Sequence, residues 1–163
     1  CSDDRKAIRD AVDFLYGRGH RVISLLITNM NTLNNLVRAG AFEEYTAGYG
    51  GRLRGSVIRT ESRFLNAVPL ERYVEKLPAD CTAVIAPVEA FGNRLYKILK
   101  ALRPEAALIP WCYPLHDYAA AAGIPFMRQD FRSLAETAVK MLQDQLQGMP
   151  VSNSFVPYIF NRS

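Results

Sequence analysis

Short apolar runs alternate along this chain with segments in which apolar residues recur every three or four positions. The first such segment, residues 3–18, places Ile8, Val12 and Leu15 on one helical face, and an apolar run without alternation follows at residues 22–28. A run of that kind is typical of a strand covered on both faces. Because the same order then repeats, we predict an α/β fold: a three-layer, doubly wound parallel sheet with right-handed crossovers.

The later helices and strands are predicted from the same two patterns, the helical stripe and the short apolar run. Helices are expected around residues 33–45, 70–76, 91–102 and 134–146, and strands around residues 57–59, 82–86, 106–111, 126–129 and 155–160. A glycine-rich stretch at residues 48–55 follows a helix rather than a strand, so it predicts a loop and not a phosphate-binding motif. Gly148 and Pro150 end the last helix.

The composition is that of an ordinary soluble globular domain. The chain has 163 residues, of which 49% are hydrophobic and 22% charged, enough to bury one core. Its net charge of +4 is spread along the sequence, so no nucleic-acid groove is predicted, and no apolar run approaches the roughly 20 residues that span a bilayer. Cys1, Cys81 and Cys112 are far apart, which argues against disulfides or zinc and favours a cytoplasmic protein. Because the chain begins with Cys1 rather than Met, we expect further sequence upstream.

Signals of catalysis are weak. Cys112 and His116 both lie just beyond a predicted strand and could form a nucleophile and its base, but no third, orienting group is identifiable. We therefore expect a protein that is not an enzyme and that holds no metal or cofactor. Binding is better supported, since the crevice at the carboxyl ends of parallel strands is the usual ligand site of such sheets. Arg38, one helical turn after Asn34, could direct its guanidinium at a ligand there or be an ordinary surface arginine.

Five short segments carry a family resemblance: Gly19-His20-Arg21-Val22-Ile23, Arg38-Ala39-Gly40-Ala41-Phe42, Thr82-Ala83-Val84-Ile85, Arg128-Gln129-Asp130-Phe131-Arg132-Ser133-Leu134 and Pro157-Tyr158-Ile159-Phe160-Asn161-Arg162-Ser163. In this order they resemble the effector-binding domain of LacI/GalR-type transcriptional regulators over nearly the whole chain. The resemblance implies a periplasmic-binding-protein-like fold. Residues 1–125 would form its C-terminal subdomain, residues 126–150 a crossover strand and helix belonging to the N-terminal subdomain, and residues 151–163 a final strand returning to the C-terminal subdomain.

The resemblance also implies a function. Such proteins bind a small effector, often a sugar, between two subdomains, act as homodimers without a membrane, and contact DNA through a head that this chain does not contain. The implied effector contacts are Asn34, Arg38, Phe64, Glu89, Trp111, Cys112 and Phe131. The implied dimer contacts are Phe91, Arg94, Leu95 and Tyr113.

Three departures from the family pattern concern the effector. Val88 stands where the family has asparagine, Glu89 where it has aspartate, and Cys112 where many members have a strand-end aspartate. Because an unpaired buried hydroxyl costs about 1–3 kcal/mol, these changes disfavour a standard hexose. They favour a less hydroxylated, anionic or phosphorylated effector, or the loss of the effector. The alternatives to a regulator are a transport-type periplasmic binding protein and an α/β enzyme that uses Cys112 and His116.

Overall fold

The computed structural model describes residues 1–28, 32–60, 69–88, 92–112 and 118–162. The helices are α1 (Asp4–Gly17), α2 (Leu33–Ala47), α3 (Leu70–Glu75), α4 (Gly92–Leu102), α5 (Tyr118–Ala121) and α6 (Phe131–Leu146). The strands are β1 (Val22–Thr28), β2 (Arg54–Thr60), β3 (Ala83–Ala86), β4 (Ala107–Cys112), β5 (Phe126–Arg128) and β6 (Ile159–Asn161).

The strands form one sheet in the order β2-β1-β3-β4-β5-β6. The first five are mutually parallel, as predicted, whereas β6 runs antiparallel to β5. The sheet grows from β1 in both directions, which makes the gap between the carboxyl ends of β1 and β3 a topological switch point.

Alternate residues of a central strand point into two separate cores. In β3, Ala83 and Ile85 belong to a core that includes α1 and α2, while Val84 and Ala86 belong to a core that includes α3 and α4. Helices therefore cover both faces of the sheet, which confirms the predicted three-layer α/β architecture. Burial on both faces also explains why β1 reads as an apolar run without alternation.

The structure differs from the sequence prediction in its last third. The strand Phe126–Arg128, predicted to belong with the following helix to another subdomain, pairs with Trp111 and Cys112 of β4 in the main sheet. A short helix, α5, was not predicted, because four residues are too few to show a helical period. The final strand covers Ile159–Asn161 rather than residues 155–160.

Helix α6 stands apart from both cores. None of its 16 residues is buried, although its apolar side chains share one face. Val139, Leu142 and Leu146 are 55%, 57% and 79% exposed. Among the described residues no helix has the length and apolar character needed to cross a membrane.

Candidate functional site

The switch point between β1 and β3 is held together by two side chains of α2. Asn35 donates through Nδ2 to the carbonyl oxygen of Thr28, at the end of β1, at 3.1 Å and to its Oγ1 at 2.8 Å. Arg38 donates through a terminal guanidinium nitrogen to the carbonyl oxygen of Pro87, just beyond β3, at 2.9 Å. Thr32 caps the helix by accepting from the backbone N–H of Asn35 at 3.3 Å. The first turns of α2 therefore tie the two strand ends together.

Arg38 is buried, with only 8% of its surface exposed. Its Nε donates to Oδ1 of Asp4 at 2.7 Å, and its second terminal nitrogen donates to the hydroxyl of Tyr158 at 3.0 Å. The Tyr158 hydroxyl in turn donates to the same Asp4 oxygen at 2.9 Å. Arg38 thus joins α1, α2, the end of β3 and the segment that leads into β6.

The charges of this cluster are matched. Burial by itself lowers the pKa of Arg38, but the adjacent Asp4 carboxylate and the Tyr158 hydroxyl together more than offset that effect, so the pKa lies above its ordinary value. Burial also raises the pKa of Tyr158, which keeps the hydroxyl protonated and able to donate. Behind the cluster, the Trp111 ring lies 5.6 Å from the Tyr158 ring in an edge-on arrangement. Within the described part of the chain the indole Nε1 of Trp111 has no hydrogen-bond partner.

An open cleft of about 670 Å³ lies in front of this cluster, at the carboxyl edge of the sheet. Residues from the start of α1, α2 and α6 line it, together with two residues close to the ends of β5 and β6: Cys1, Ser2, Asp3, Asp4, Arg5, Leu33, Asn34, Val37, Gln129, Leu134 and Phe155. Most of its surface is apolar. The polar groups that could orient a ligand are the amides of Asn34 and Gln129 and the charges of Asp3 and Arg5.

Three helices begin at this cleft. Asp3 accepts from the backbone N–H of Lys6 at the start of α1, and Asp130 accepts from the backbone N–H of Ser133 at the start of α6. The hydrogen bond from Ser133 is the main reason why the pKa of Asp130 is lowered. Because helix N-termini carry partial positive charge, these two carboxylates are stabilised where they stand.

The predicted effector residues fall into four groups. Asn34 is exposed on the cleft wall, whereas Arg38 lies behind the wall with its donors engaged by protein groups. Trp111 and Cys112 are 0% and 3% exposed and face the cores, so neither offers a surface to a ligand in this conformation. Phe131, the first residue of α6, is 44% exposed, but it is not part of the cleft lining. Phe64 and Glu89 lie outside the described residues.

The predicted dimer contacts divide similarly. Leu95 on α4 is fully buried in the core between α3 and α4, so its side chain cannot contact a second copy directly. Arg94 on the same helix is partly exposed. Phe91 and Tyr113 lie outside the described residues. α4 turns this position toward the sheet, and the dimer contacts as a set stay a prediction.

Sequence reasoning missed Asp4, Tyr158 and Gln129 as members of the site. Asp4 had no predicted role, and Tyr158 was named only within the last of the five segments that resemble the family. Asp4 and Tyr158 meet Arg38 across 34 and 120 positions of the chain, a separation at which no local period indicates contact. The sequence offered one signal for these contacts: a carboxylate near the start of the chain and a phenol near its end.

No protein-family model matches this chain, and no curated protein matches it. Solved structures do match. Over 98% of its length the chain is similar to a LacI family transcriptional regulator from Bifidobacterium animalis subsp. lactis, with 20% identity and a TM-score of 0.79, covering 60% of that chain. The chain has the LacI-type fold.

Two further solved structures match the chain over almost its whole length. One is the dimeric Lac repressor with an 11-residue C-terminal deletion, at 17% identity and a TM-score of 0.76, with 98% of this chain and 60% of that chain covered. The other is a periplasmic binding protein/LacI transcriptional regulator from Alkaliphilus metalliredigens complexed with D-xylulofuranose, at 16% identity and a TM-score of 0.73, with 99% and 62% covered. The resemblance found in the sequence is therefore confirmed at the level of the LacI-type fold. This chain spans about 60% of the length of the proteins that share that fold with it.

Proposed function

We propose that this chain is the effector-sensing and dimerisation part of a LacI-type transcriptional regulator that carries its DNA-binding head elsewhere. The cleft at the carboxyl edge of the sheet is the observation that carries the proposal. It is open, largely apolar, and furnished with a few convergent polar groups, as small-molecule sites usually are. It also lies at the edge where ligands bind in open α/β sheets.

The uncovered apolar face of helix α6 is an argument for a second subdomain. Its apolar face has no cover within the described residues, and its first turn forms one wall of the cleft. We propose that α6 packs into an N-terminal subdomain outside this chain and that an effector is held between the two bodies. A ligand that binds the closed arrangement more tightly than the open one shifts their equilibrium, and the angle between the bodies then controls the attached head.

The lining favours an effector with few hydroxyls. Val88 and Cys112, which replace polar residues of the family pattern, are both buried, so they provide no hydrogen bonds to a polyol. The Asn34 amide can donate to a hydroxyl or carboxylate oxygen. Gln129, whose Nε2 already donates to the Ser2 hydroxyl at 2.9 Å, can offer its amide oxygen to a hydroxyl. Arg5 and Asp3 allow a charged group at the rim. A deoxy or acidic sugar derivative fits this set better than a hexose.

Cytoplasmic location, which the widely spaced cysteines favour, and homodimerisation through the exposed side of α4, which the resemblance implies, are parts of the same proposal. Catalysis by Cys112 is disfavoured. Its thiol lies in a cluster with Ala119 and Phe126 and is 3% exposed, which excludes the access that a nucleophile needs.

The proposal is tested by thermal unfolding of the full-length protein in the presence of sugars, sugar acids, sugar phosphates and nucleobases. A ligand at 100 times its dissociation constant should stabilise the folded state by about 2.7 kcal/mol. At about 2–4 °C per kcal/mol, the unfolding midpoint should rise by several degrees.

Asn34→Ala should abolish the rise, while Gln143→Ala, at an exposed position of α6 outside the cleft lining, should preserve it. Asn34 is preferred to Arg38 for this purpose because its side chain is exposed and its loss leaves the fold intact. A rise that survives Asn34→Ala and Gln129→Ala would place the ligand elsewhere. The absence of any rise across the panel, in a protein that unfolds cooperatively, would contradict the proposed sensing function.

A further inference from the structure

A second cavity lies at the opposite, amino edge of the sheet, away from the cleft described above. It measures about 230 Å³ and is enclosed by the end of α1, by α4 and by the turn that precedes β5. Its wall is apolar, formed by Phe14, Leu15, Tyr96, Leu108, Ile124 and Pro125. Gly123 lies in the turn with a φ of 64°, a left-handed conformation that glycine adopts without strain.

Three basic side chains surround this apolar wall: Arg18 and His20 from the end of α1, and Lys100 from α4. The Arg18 guanidinium lies 4.4 Å from the centre of the Phe14 ring, and within the described residues it has no carboxylate partner. The Lys100 ammonium donates to the carbonyl oxygen of Pro104 at 2.7 Å and likewise has no carboxylate within ion-pair distance there. Positive charge is therefore concentrated around the cavity without a countercharge.

The helix ends at this edge do not neutralise the basic residues. The carboxyl ends of α1 and α4 each carry about half a negative charge, and two full charges exceed that sum before His20 is counted. The direction in which the pKa of His20 is shifted agrees with this excess of positive charge. Burial lowers its pKa, and Arg18 and Arg21 lower it further. Its Nδ1 lies 3.0 Å from the Thr82 hydroxyl, and the Tyr96 phenol of α4 also lines the cavity.

We propose that this cavity binds a small organic carboxylate, with the apolar body of the ligand against Leu15 and Ile124 and its carboxylate between Arg18 and Lys100. The combination of an apolar wall and a basic rim selects this class over both an inorganic anion and a neutral apolar molecule. An inorganic anion leaves the apolar wall exposed to water, whereas a neutral molecule leaves the charges unpaired. The site is separate from the proposed effector cleft and does not depend on it.

Benzoate is a suitable probe, and His20 is a built-in reporter. The chain has only two histidines, His20 and His116, so a His116→Gln background gives a single imidazole signal in a proton NMR titration. A carboxylate near the ring favours its protonated form, so saturating benzoate should raise the pKa of His20 by about half a unit or more. By linkage, benzoate should bind more tightly below that pKa than above it.

Ionic strength must be held constant with sodium chloride, because salt alone screens Arg18 and Arg21 and raises the same pKa. Arg18→Gln and Lys100→Gln should each weaken benzoate binding about tenfold. Lys97→Gln, which removes the same charge from an exposed position of α4 outside the cavity, should leave binding unchanged.

A saturable benzoate shift that is lost in the two cavity variants and kept in Lys97→Gln supports the site. A shift equal to that of chloride at the same ionic strength overturns it. Equal binding of benzamide would overturn the role of the two cations. A larger effect of inorganic phosphate than of benzoate would overturn the assignment to organic carboxylates.

Discussion

The Nε atom of Arg38 donates to the Oδ1 atom of Asp4 at 2.7 Å, linking the first turn of α1 to α2. Both side chains are nearly buried, at 10% and 7% exposure. A buried ion pair stabilises little relative to apolar residues of similar size, but removing one partner alone is costly, since the other charge is left without compensation. The pair therefore constrains how α1, α2 and the C-terminal segment assemble behind the cleft.

This arrangement gives a direct prediction for stability. Arg38→Met should lower the free energy of unfolding by about 3–5 kcal/mol, because Asp4 then remains buried without its partner. The double variant Asp4→Leu with Arg38→Met should be destabilised by much less than the sum of the single changes. Urea unfolding of the four proteins measures the coupling. Strict additivity of the two changes would show that the pair does not act as a unit.

Two glycines, Gly40 in α2 and Gly55 in β2, should respond oppositely to alanine. A Cβ at Gly55 in β2 would lie 2.6 Å from Oγ1 of Thr46 and 2.9 Å from the buried ring of Phe42, whereas a Cβ at Gly40 in α2 meets nothing within 4 Å. Gly55→Ala should therefore destabilise the protein by about 1–3 kcal/mol through overpacking. Gly40→Ala should stabilise it by about 0.5–1 kcal/mol, because glycine is unfavourable within a helix.

Chemical denaturation of the two variants and of the unchanged chain measures the free energy of unfolding of each. Equal effects of the two substitutions would contradict the close packing of α2 against β2.

The exposure of α6 predicts a contrast between two chain lengths. In the 163-residue chain, Leu142→Gln should change the free energy of unfolding by no more than about 0.5 kcal/mol, since Leu142 is 57% exposed. Leu99→Ala, at a fully buried position of α4, should cost about 2–5 kcal/mol in the same chain. In a longer protein that supplies the proposed N-terminal subdomain, Leu142→Gln should become destabilising.

The unfolding midpoints in urea of both proteins, with and without each change, provide the test. An effect of Leu142→Gln that is equally small in the longer protein would mean that no subdomain covers this face.

The helices and strands could be predicted from the sequence because the patterns that indicate them are local. The apolar run at residues 22–28 became β1 with the predicted bounds, and the stripe on residues 33–45 became most of α2. A strand covered on both faces and a helix covered on one must carry these periods to bury their apolar side chains. The three-layer α/β class follows from the order of those signals, whereas the LacI-type fold was predicted from the resemblance of five short segments to that family.

The site depended on relationships that no local period contains. Arg38 was placed on the correct helix, but the carboxylate that holds it comes from Asp4, and the approach of α1 to α2 decides that contact. Trp111 and Cys112 end a strand at the predicted edge, yet the covering of both sheet faces turns their side chains inward.

The sequence by itself determined the kinds of elements, their order and the edge at which a ligand binds in such a sheet. Only the tertiary structure decided that β5 joins the main sheet, that β6 runs against it, and that the candidate arginine is already engaged. The physical reason is that a burial pattern depends on residues that are neighbours in the chain. Strand pairing and ion pairing depend on segments that are far apart in the chain and close together in space.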